Sequence, residues 1–158
     1  MRFNGYSFKN FNCINFTMEF ENRDARRHFL NYALVSKCKS FSKDQREKNI
    51  EYLVEGIDPP EDIEKNFYNA MIGCESIAKK RGLKSITKDV IDKWFLEMHN
   101  QFSSCKAYKG IVIWRGETKA KVMTAADTER KYKTKIKPSV EIGSRVIVHN
   151  DYIIDVVK

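Results

Sequence analysis

The sequence predicts an α+β protein with a mostly helical unit over residues 1–104 and a small five-stranded β-barrel over residues 105–158. Apolar residues recur at helical spacing from residue 24 to residue 98. Beyond residue 104 the pattern changes to five short segments that are rich in β-branched residues. The short polar segment 101–104 separates the two patterns and predicts a linker. A chain of 158 residues with 42% hydrophobic residues can form one ordinary domain or two small ones.

The helical unit is predicted to open with a β-strand over residues 12–20. Apolar side chains at positions 14, 16, 18 and 20 alternate with smaller or polar ones, which is the period of a half-buried strand. The first helix follows from residue 24, where Asn22 or Asp24 can cap the free backbone N–H groups.

Three more helices follow, each with a start or stop signal. Ser42 and Gln45 form the pattern of a capping box at the start of the second helix. The prolines at positions 59 and 60 end that helix and predict the first turn of a third. The third helix ends at Gly82, and Thr87 caps a fourth helix that continues to residue 98.

The strands of the C-terminal unit are predicted at residues 110–114, 119–124, 130–137, 144–149 and 152–157. Asn150 and Asp151 form the two-residue turn of a closing hairpin, because such a turn needs positive φ and these residues tolerate it best after glycine. Gly143 supplies a turn ahead of that hairpin.

The closing hairpin reads Val140-x-x-Gly143-x-x-Val146-Ile-Val-His149-x-x-Tyr152-x-Ile154, and upstream the chain reads Cys105-x-Ala107-x-x-Gly110-x-Val112. Together these segments resemble the two ends of the HypC/HupF hydrogenase-maturation chaperones, a family of small β-barrels. The resemblance covers the final third of the chain, and the N-terminal two thirds resemble no family that we recognise. Lys109 stands where the family has proline, Asp151 where it has glycine, and the family's cysteine follows the initiator Met directly.

The resemblance implies a metal role for Cys105 and His149. In the family, the matching cysteine thiolate carries iron to a hydrogenase subunit and the matching histidine supports it. A soft thiolate suits low-spin iron, and an imidazole can serve as a second ligand. The alternative is that Cys105 is a small buried residue of the first strand and His149 ends a hairpin.

A row of lysines is the second candidate site. They alternate with other residues along the predicted third strand: Lys131, Lys133, Lys135 and Lys137. On a strand these four lysines would share one face. Three more basic residues could extend this positive surface: Lys119, Lys121 and Arg130. Such a face could bind phosphates, with stacking from Tyr108, Trp114 or Tyr132 if these rings are exposed. The alternative is an edge strand that uses lysine to prevent pairing with other strands.

Charge and composition limit the partners. Residues 105–158 hold 12 of the 29 Lys and Arg but 6 of the 21 Asp and Glu, so this third contributes +6 of the net +8. A concentrated positive field favours nucleic acid or an acidic protein surface. The four cysteines form no C-x-x-C pair, and the N-terminus lacks a signal-peptide pattern, which favours a reducing cytoplasm. The chain has no apolar run long enough to span a membrane.

The sequence carries no catalytic motif, and its three histidines, His28, His99 and His149, fall in different predicted elements. A basic cluster of Arg23, Arg26, Arg27 and His28 lies at the start of the first helix, where the dipole disfavours it, and fits either a ligand contact or a solvated face. We therefore predict a non-catalytic binding or assembly protein of metallocentre or hydrogenase maturation, with iron as the candidate cofactor. A nucleic-acid-binding protein is the alternative, and an enzyme with an unrecognised site is the third possibility.

Overall fold

The computed structural model describes residues 18–37 and 40–157, and the structural statements below concern these residues. Helices precede strands along the chain, so the predicted α+β class is confirmed. The α-helices are α1 (Arg23–Ala33), α2 (Lys43–Glu55), α3 (Tyr68–Lys80) and α4 (Lys88–Lys93). The strands are β1 (Ala107–Arg115), β2 (Lys119–Thr124), β3 (Glu129–Lys133), β4 (Arg145–His149) and β5 (Tyr152–Val157).

The helix starts follow the capping signals. Asn22 caps α1, its side chain accepting from the Ala25 backbone N–H at 2.8 Å. At the start of α2, Ser42 Oγ accepts from the Gln45 backbone N–H at 3.1 Å. The capping box is only half formed, because the Gln45 side chain donates forward to Asn49 at 2.9 Å.

Two helix predictions need correction. The proline pair precedes a short 3₁₀ turn, Ile63–Asn66, and α3 starts only at Tyr68. Asp62 has φ +66°, which no α-helix accommodates, and therefore separates the prolines from α3. The fourth helix is not α-helical to residue 98: after α4 the chain makes a π-helical turn, Trp94–Met98, and a 3₁₀ turn, His99–Gln101.

The predicted opening strand lies almost entirely outside the described residues. At its end, Met18 is buried, and Phe20 forms a parallel bridge with Ile86.

The sheet is antiparallel except at one joint. β1 pairs with both β2 and β4, β2 pairs with β3, and β4 pairs with β5. A single parallel pair, Lys133 with Tyr152, joins β3 to β5, so the strand order β1-β2-β3-β5-β4 closes on itself.

The third strand is shorter than predicted. β3 ends at Lys133, opposite Lys119, where β2 begins, and beyond it one backbone hydrogen bond runs from the Thr134 N–H to the Thr118 carbonyl oxygen at 3.1 Å. Lys135 and Lys137 therefore lie beyond the strand. The predicted turns are present, with φ +94° at Gly143 and +57° at Asn150, whereas Asp151, the second residue of the hairpin turn, does not have positive φ.

The two faces of the sheet contribute side chains to two different hydrophobic cores. Valines of β1, β2 and β4 fill the inside together with Ile153 of β5. Four residues of the C-terminal unit instead join the core of the helices: Ala107, Ile136, Ile147 and Ile154. The helices thus pack on the outer face of the sheet. Over the described residues, no helix combines the length and apolarity needed to cross a bilayer.

Candidate metal centre

Cys105 lies in the link between the 3₁₀ turn and β1, two residues before the strand to which the alternative interpretation assigned it. Asn100 fastens this link: its side chain donates to the Ala107 carbonyl at 2.7 Å and accepts from the Ala107 N–H at 2.9 Å. Ser103 Oγ accepts from the Cys105 N–H and lies 3.2 Å from the Cys105 Sγ. The half-buried thiol is therefore held in a defined position.

His149, the last residue of β4, is fully buried beside this thiol. Its Nδ1 lies 2.7 Å from the Tyr32 carbonyl oxygen, and its Nε2 lies 2.9 Å from the Cys105 carbonyl oxygen. A carbonyl oxygen only accepts hydrogen bonds, and a neutral imidazole has one N–H. A neutral ring can therefore donate to only one of the two carbonyl oxygens, and which one depends on the tautomer.

His99 is the third member of the cluster, and the sequence did not predict it. Its ring centroid lies 5.2 Å from that of His149, edge to face. Among the described residues, no partner hydrogen-bonds its buried Nδ1 atom. One ligand atom from each of Cys105, His99 and His149 lies within 4.8 Å of the others.

The environment favours the thiolate form of Cys105. Burial alone would raise the pKa of this thiol. Hydrogen bonds from His149, His99, Ser103 and the Lys37 backbone outweigh burial and lower the pKa to about 4. The thiolate is the form of cysteine that binds metals.

Aromatic rings enclose the cluster on its helical side. Tyr32 and Phe95 stack with their centroids 4.5 Å apart, and Phe95 lies 5.4 Å from His99 and 6.0 Å from His149. Tyr32 and Phe95 are both buried. A low-polarity wall strengthens electrostatic interactions between the thiolate and a cation.

One thiolate and two imidazoles form a donor set that suits zinc, iron or copper. Donor atoms around a tetrahedral ion lie about 3.5 Å apart. Because the present donor atoms lie within 4.8 Å of one another, binding would bring them closer by no more than about 1.3 Å. Three protein ligands leave a fourth position free, as in metal sites that exchange ligands.

A separate polar cluster joins α1, α4 and β5. His28 lies between two carboxylates, with Nε2 2.7 Å from Asp92 and Nδ1 3.3 Å from Asp155. The Tyr32 hydroxyl also donates to Asp92, at 2.6 Å. Tyr32 thus contacts both clusters, this one through its hydroxyl and the candidate metal centre through its carbonyl.

The basic cluster at the start of α1 has structural partners. Arg26 pairs with Glu64 at 3.0 Å, and Arg23 pairs with Asp58. Arg27 donates to three carbonyl oxygens in and just after the last turn of α2. These contacts hold α1 to its neighbours, so they account for the cluster without a ligand.

We call the predicted lysines the basic face: Lys119, Lys121, Lys131, Lys133, Lys135 and Lys137, of which Lys121 and Lys137 are half-buried. The lysines of β2 and β3 lie opposite one another on one face of the sheet. Arg130, also predicted for this surface, alternates with the lysines of β3, lies over the Tyr132 ring and pairs with Asp151. The ring of Trp114 is exposed and lies 4.9 Å beneath the Lys131 ammonium. Tyr132 is buried and cannot stack on a base, whereas Tyr108 is half-buried.

No family model, curated protein or solved structure matches this chain. The resemblance to HypC/HupF chaperones therefore rests on the quoted residues alone. The structure places the two residues named by that resemblance, Cys105 and His149, in one cluster and adds His99. The spacing of His99 from Cys105 matches no common metal-binding signature, so only the fold shows their proximity.

Proposed function

We propose that this protein is a non-catalytic accessory protein that binds a transition-metal ion through Cys105, His99 and His149. The convergence of these three donors within 4.8 Å is the observation that carries the proposal. By its resemblance to HypC/HupF barrels, the sheet would belong to a small barrel that serves metallocentre assembly, with ferrous iron as cargo. A reducing cytoplasm would keep the thiol available.

The state of His149 supports a metal at its Nε2. The buried contact with the Tyr32 carbonyl suits a proton on Nδ1, which would orient the ring for a metal on the other nitrogen. Nε2, which lies 2.9 Å from the Cys105 carbonyl oxygen, would then carry the lone pair that binds the metal.

Anaerobic titration with ferrous iron, or with cobalt(II) as a coloured substitute, tests the proposal. We expect one ion per chain and a thiolate-to-cobalt charge-transfer band. Cys105→Ala should abolish both the band and tight binding. His149→Ala and His99→Ala should each weaken binding, because each removes one ligand.

Cys74→Ala is the matched control, because Cys74 is a buried thiol outside the cluster whose pKa burial raises above its ordinary value. It should leave the band intact. Tight binding that persists in Cys105→Ala, or a band lost only in Cys74→Ala, would refute the proposed site.

A second candidate function, nucleic-acid binding, is favoured by the pairing of lysines across strands. Lys119 lies opposite Lys133, and Lys121, which also pairs with Glu129 at 3.5 Å, lies opposite Lys131. Like charges placed directly opposite destabilise a sheet. A polyanion would relieve this repulsion, and Trp114 is placed to stack with an unpaired base.

The salt dependence of oligonucleotide binding tests this second candidate, with Trp114 fluorescence as the signal. Each neutralised phosphate adds about 0.7–0.9 to the slope of log affinity against log salt. Replacing Lys131, Lys133, Lys135 and Lys137 with Gln should lower that slope by up to about four. Replacing Lys80 and Lys84 on the helical side should leave it unchanged. Equal slopes in the two variants would exclude the basic face.

A further inference from the structure

A groove crosses the outer face of the sheet beyond the edge of the helices, and we call it the outer groove. It has a volume of about 380 Å³. Its floor and walls come from β1, β2, β4, β5 and the turn after β2, including Ile111, Met123, Arg145 and Val157. The register places Ile111 beside both Met123 and Arg145, and Arg145 beside Val157. These four side chains therefore form one row across four strands.

The outer groove continues a surface that already binds helices. On β4, Ile147 is buried in the helical core, and Arg145, two residues away on the same face, lines the groove. Val157 contacts both the helical core and the groove, since it packs against the first and lines the second. The chain's own helices thus cover one half of this face and leave the other half open.

The open half keeps an apolar surface. Ile111 is 48% exposed and Met123 is 38% exposed. Contiguous exposed apolar side chains of this kind mark interaction surfaces.

The charges of the outer groove define its partner. Lys109 and Arg145 are its charged lining residues, and neither forms an ion pair with a described residue. Two cations beside an apolar floor complement a segment that combines apolar and acidic side chains. A second copy of this chain is a poor match, because its net charge is +8.

The backbone determines how such a segment can bind. β1 is hydrogen-bonded on both sides, to β2 and β4, and β4 is hydrogen-bonded to β1 and β5. Neither strand has a free edge here, so an added strand cannot pair with them. Recognition must use side chains, as when an amphipathic helix lies in a groove.

We propose that the outer groove binds an acidic amphipathic helix of a partner protein, which packs beside the chain's own helices. The apolar stripe of that helix lies on Ile111, Met123 and Val157. Its carboxylates contact Lys109 and Arg145. This proposal does not depend on metal binding.

Fluorescence anisotropy of the full-length protein with a labelled synthetic helix tests the proposal. The probe is a ~18-residue peptide, five helical turns, with leucines at i, i+3, i+4 and i+7 and glutamates along both flanks of the leucine stripe. One control peptide has the same composition in scrambled order, and another carries lysine in place of glutamate. We expect saturable binding of the acidic amphipathic peptide alone, with NMR shifts at Ile111, Met123, Arg145 and Val157.

Variants of the protein locate the contact. Ile111→Ser and Arg145→Glu should each weaken binding about tenfold, since each alters a central contact. Leu83→Ser and Lys135→Glu are the matched controls, because they change an exposed apolar residue and an exposed cation elsewhere. Neither should alter the affinity by as much as twofold.

Several results would overturn the proposal. These are failure of the acidic peptide to bind, equal binding of the scrambled peptide, or NMR shifts confined to the basic face. Dimerisation or binding to anionic phospholipid vesicles that Arg145→Glu abolishes, without peptide binding, would assign the groove to a different occupant.

Discussion

At the scale of single residues, the fold gives His28, His99 and His149 three different environments. His28 lies between two carboxylates, His149 lies between two carbonyl oxygens, and His99 has a buried nitrogen without a hydrogen-bond partner among the described residues. The first environment suits an imidazolium ion and stabilises the contact between helices and sheet. The other two suit a bound cation beside the Cys105 thiolate.

The environment of His28 predicts pH-dependent stability. Burial opposes its charge, but hydrogen bonds and charges from Asp155 and Asp92 outweigh burial and raise the pKa from 6.5 to about 9. The folded protein therefore holds this proton more tightly than the unfolded chain. The resulting stabilisation, on the order of 3 kcal/mol, is complete below pH 6.5 and is lost as the pH rises to about 9.

Urea denaturation between pH 6 and pH 10 measures this effect. His28→Gln should lower the free energy of unfolding more at pH 6 than at pH 10, so the difference from the wild type should shrink as the pH rises to about 9. Asp155→Asn should show a smaller difference of the same kind, because it removes one of the two carboxylates. Parallel profiles for wild type and His28→Gln would show that His28 carries no raised pKa.

At the scale of elements, the π-helical turn Trp94–Met98 positions the candidate metal centre. Trp94 begins this turn, and its ring packs against Gly73 of α3. A Cβ atom at position 73 would lie 2.3 Å from Trp94 Cε3. A glycine inside α3 therefore permits the close approach of the turn that leads to His99.

Gly73→Ala should destabilise the protein, although alanine is normally the better helix residue. The added methyl group meets the Trp94 ring, and overpacking of this kind costs about 1–3 kcal/mol. We expect a lower free energy of unfolding in urea and weaker cobalt(II) binding, because His99 follows the displaced turn. Asn69→Ala, at an exposed position of the same helix, should change neither quantity appreciably.

Local chemistry made most elements predictable, and long-range packing explains the exceptions. Asn22, Ser42 and Thr87 cap helices where their side chains reach the first free N–H groups. The π-turn was not predictable from local patterns, because Trp94, where it begins, packs against a glycine twenty-one residues earlier. For the same reason the sequence indicated Cys105 and His149 by their motif but could not indicate His99.

At the scale of the whole molecule, the helices and the sheet share a core and a candidate site. Ala107, Ile136, Ile147 and Ile154 belong to the C-terminal unit but pack within the helical core. The metal donors are divided in the same way, since His99 follows α4 whereas Cys105 and His149 belong to the C-terminal unit. Separation of the two units would expose apolar residues and disassemble the site.

This arrangement predicts one cooperative unfolding transition for the full chain, seen at the same midpoint by circular dichroism and by Trp fluorescence. Metal should raise that midpoint, since a ligand at 100 times its Kd adds about 2.7 kcal/mol to the free energy of unfolding. Cys105→Ala should abolish the metal effect and keep the single transition. Two resolved transitions would instead indicate that residues 1–104 and 105–158 are independent domains.

X-ray absorption spectroscopy of the zinc-loaded protein tests the central claim most directly, because it identifies the atoms that coordinate the metal. The proposed centre predicts one sulfur at about 2.3 Å and two imidazole nitrogens at about 2.0–2.1 Å, with a light atom in the fourth position. His99→Ala should reduce the imidazole number from two to one. A first shell without sulfur, or one unchanged in Cys105→Ala, would contradict the assignment of Cys105, His99 and His149 as the metal ligands.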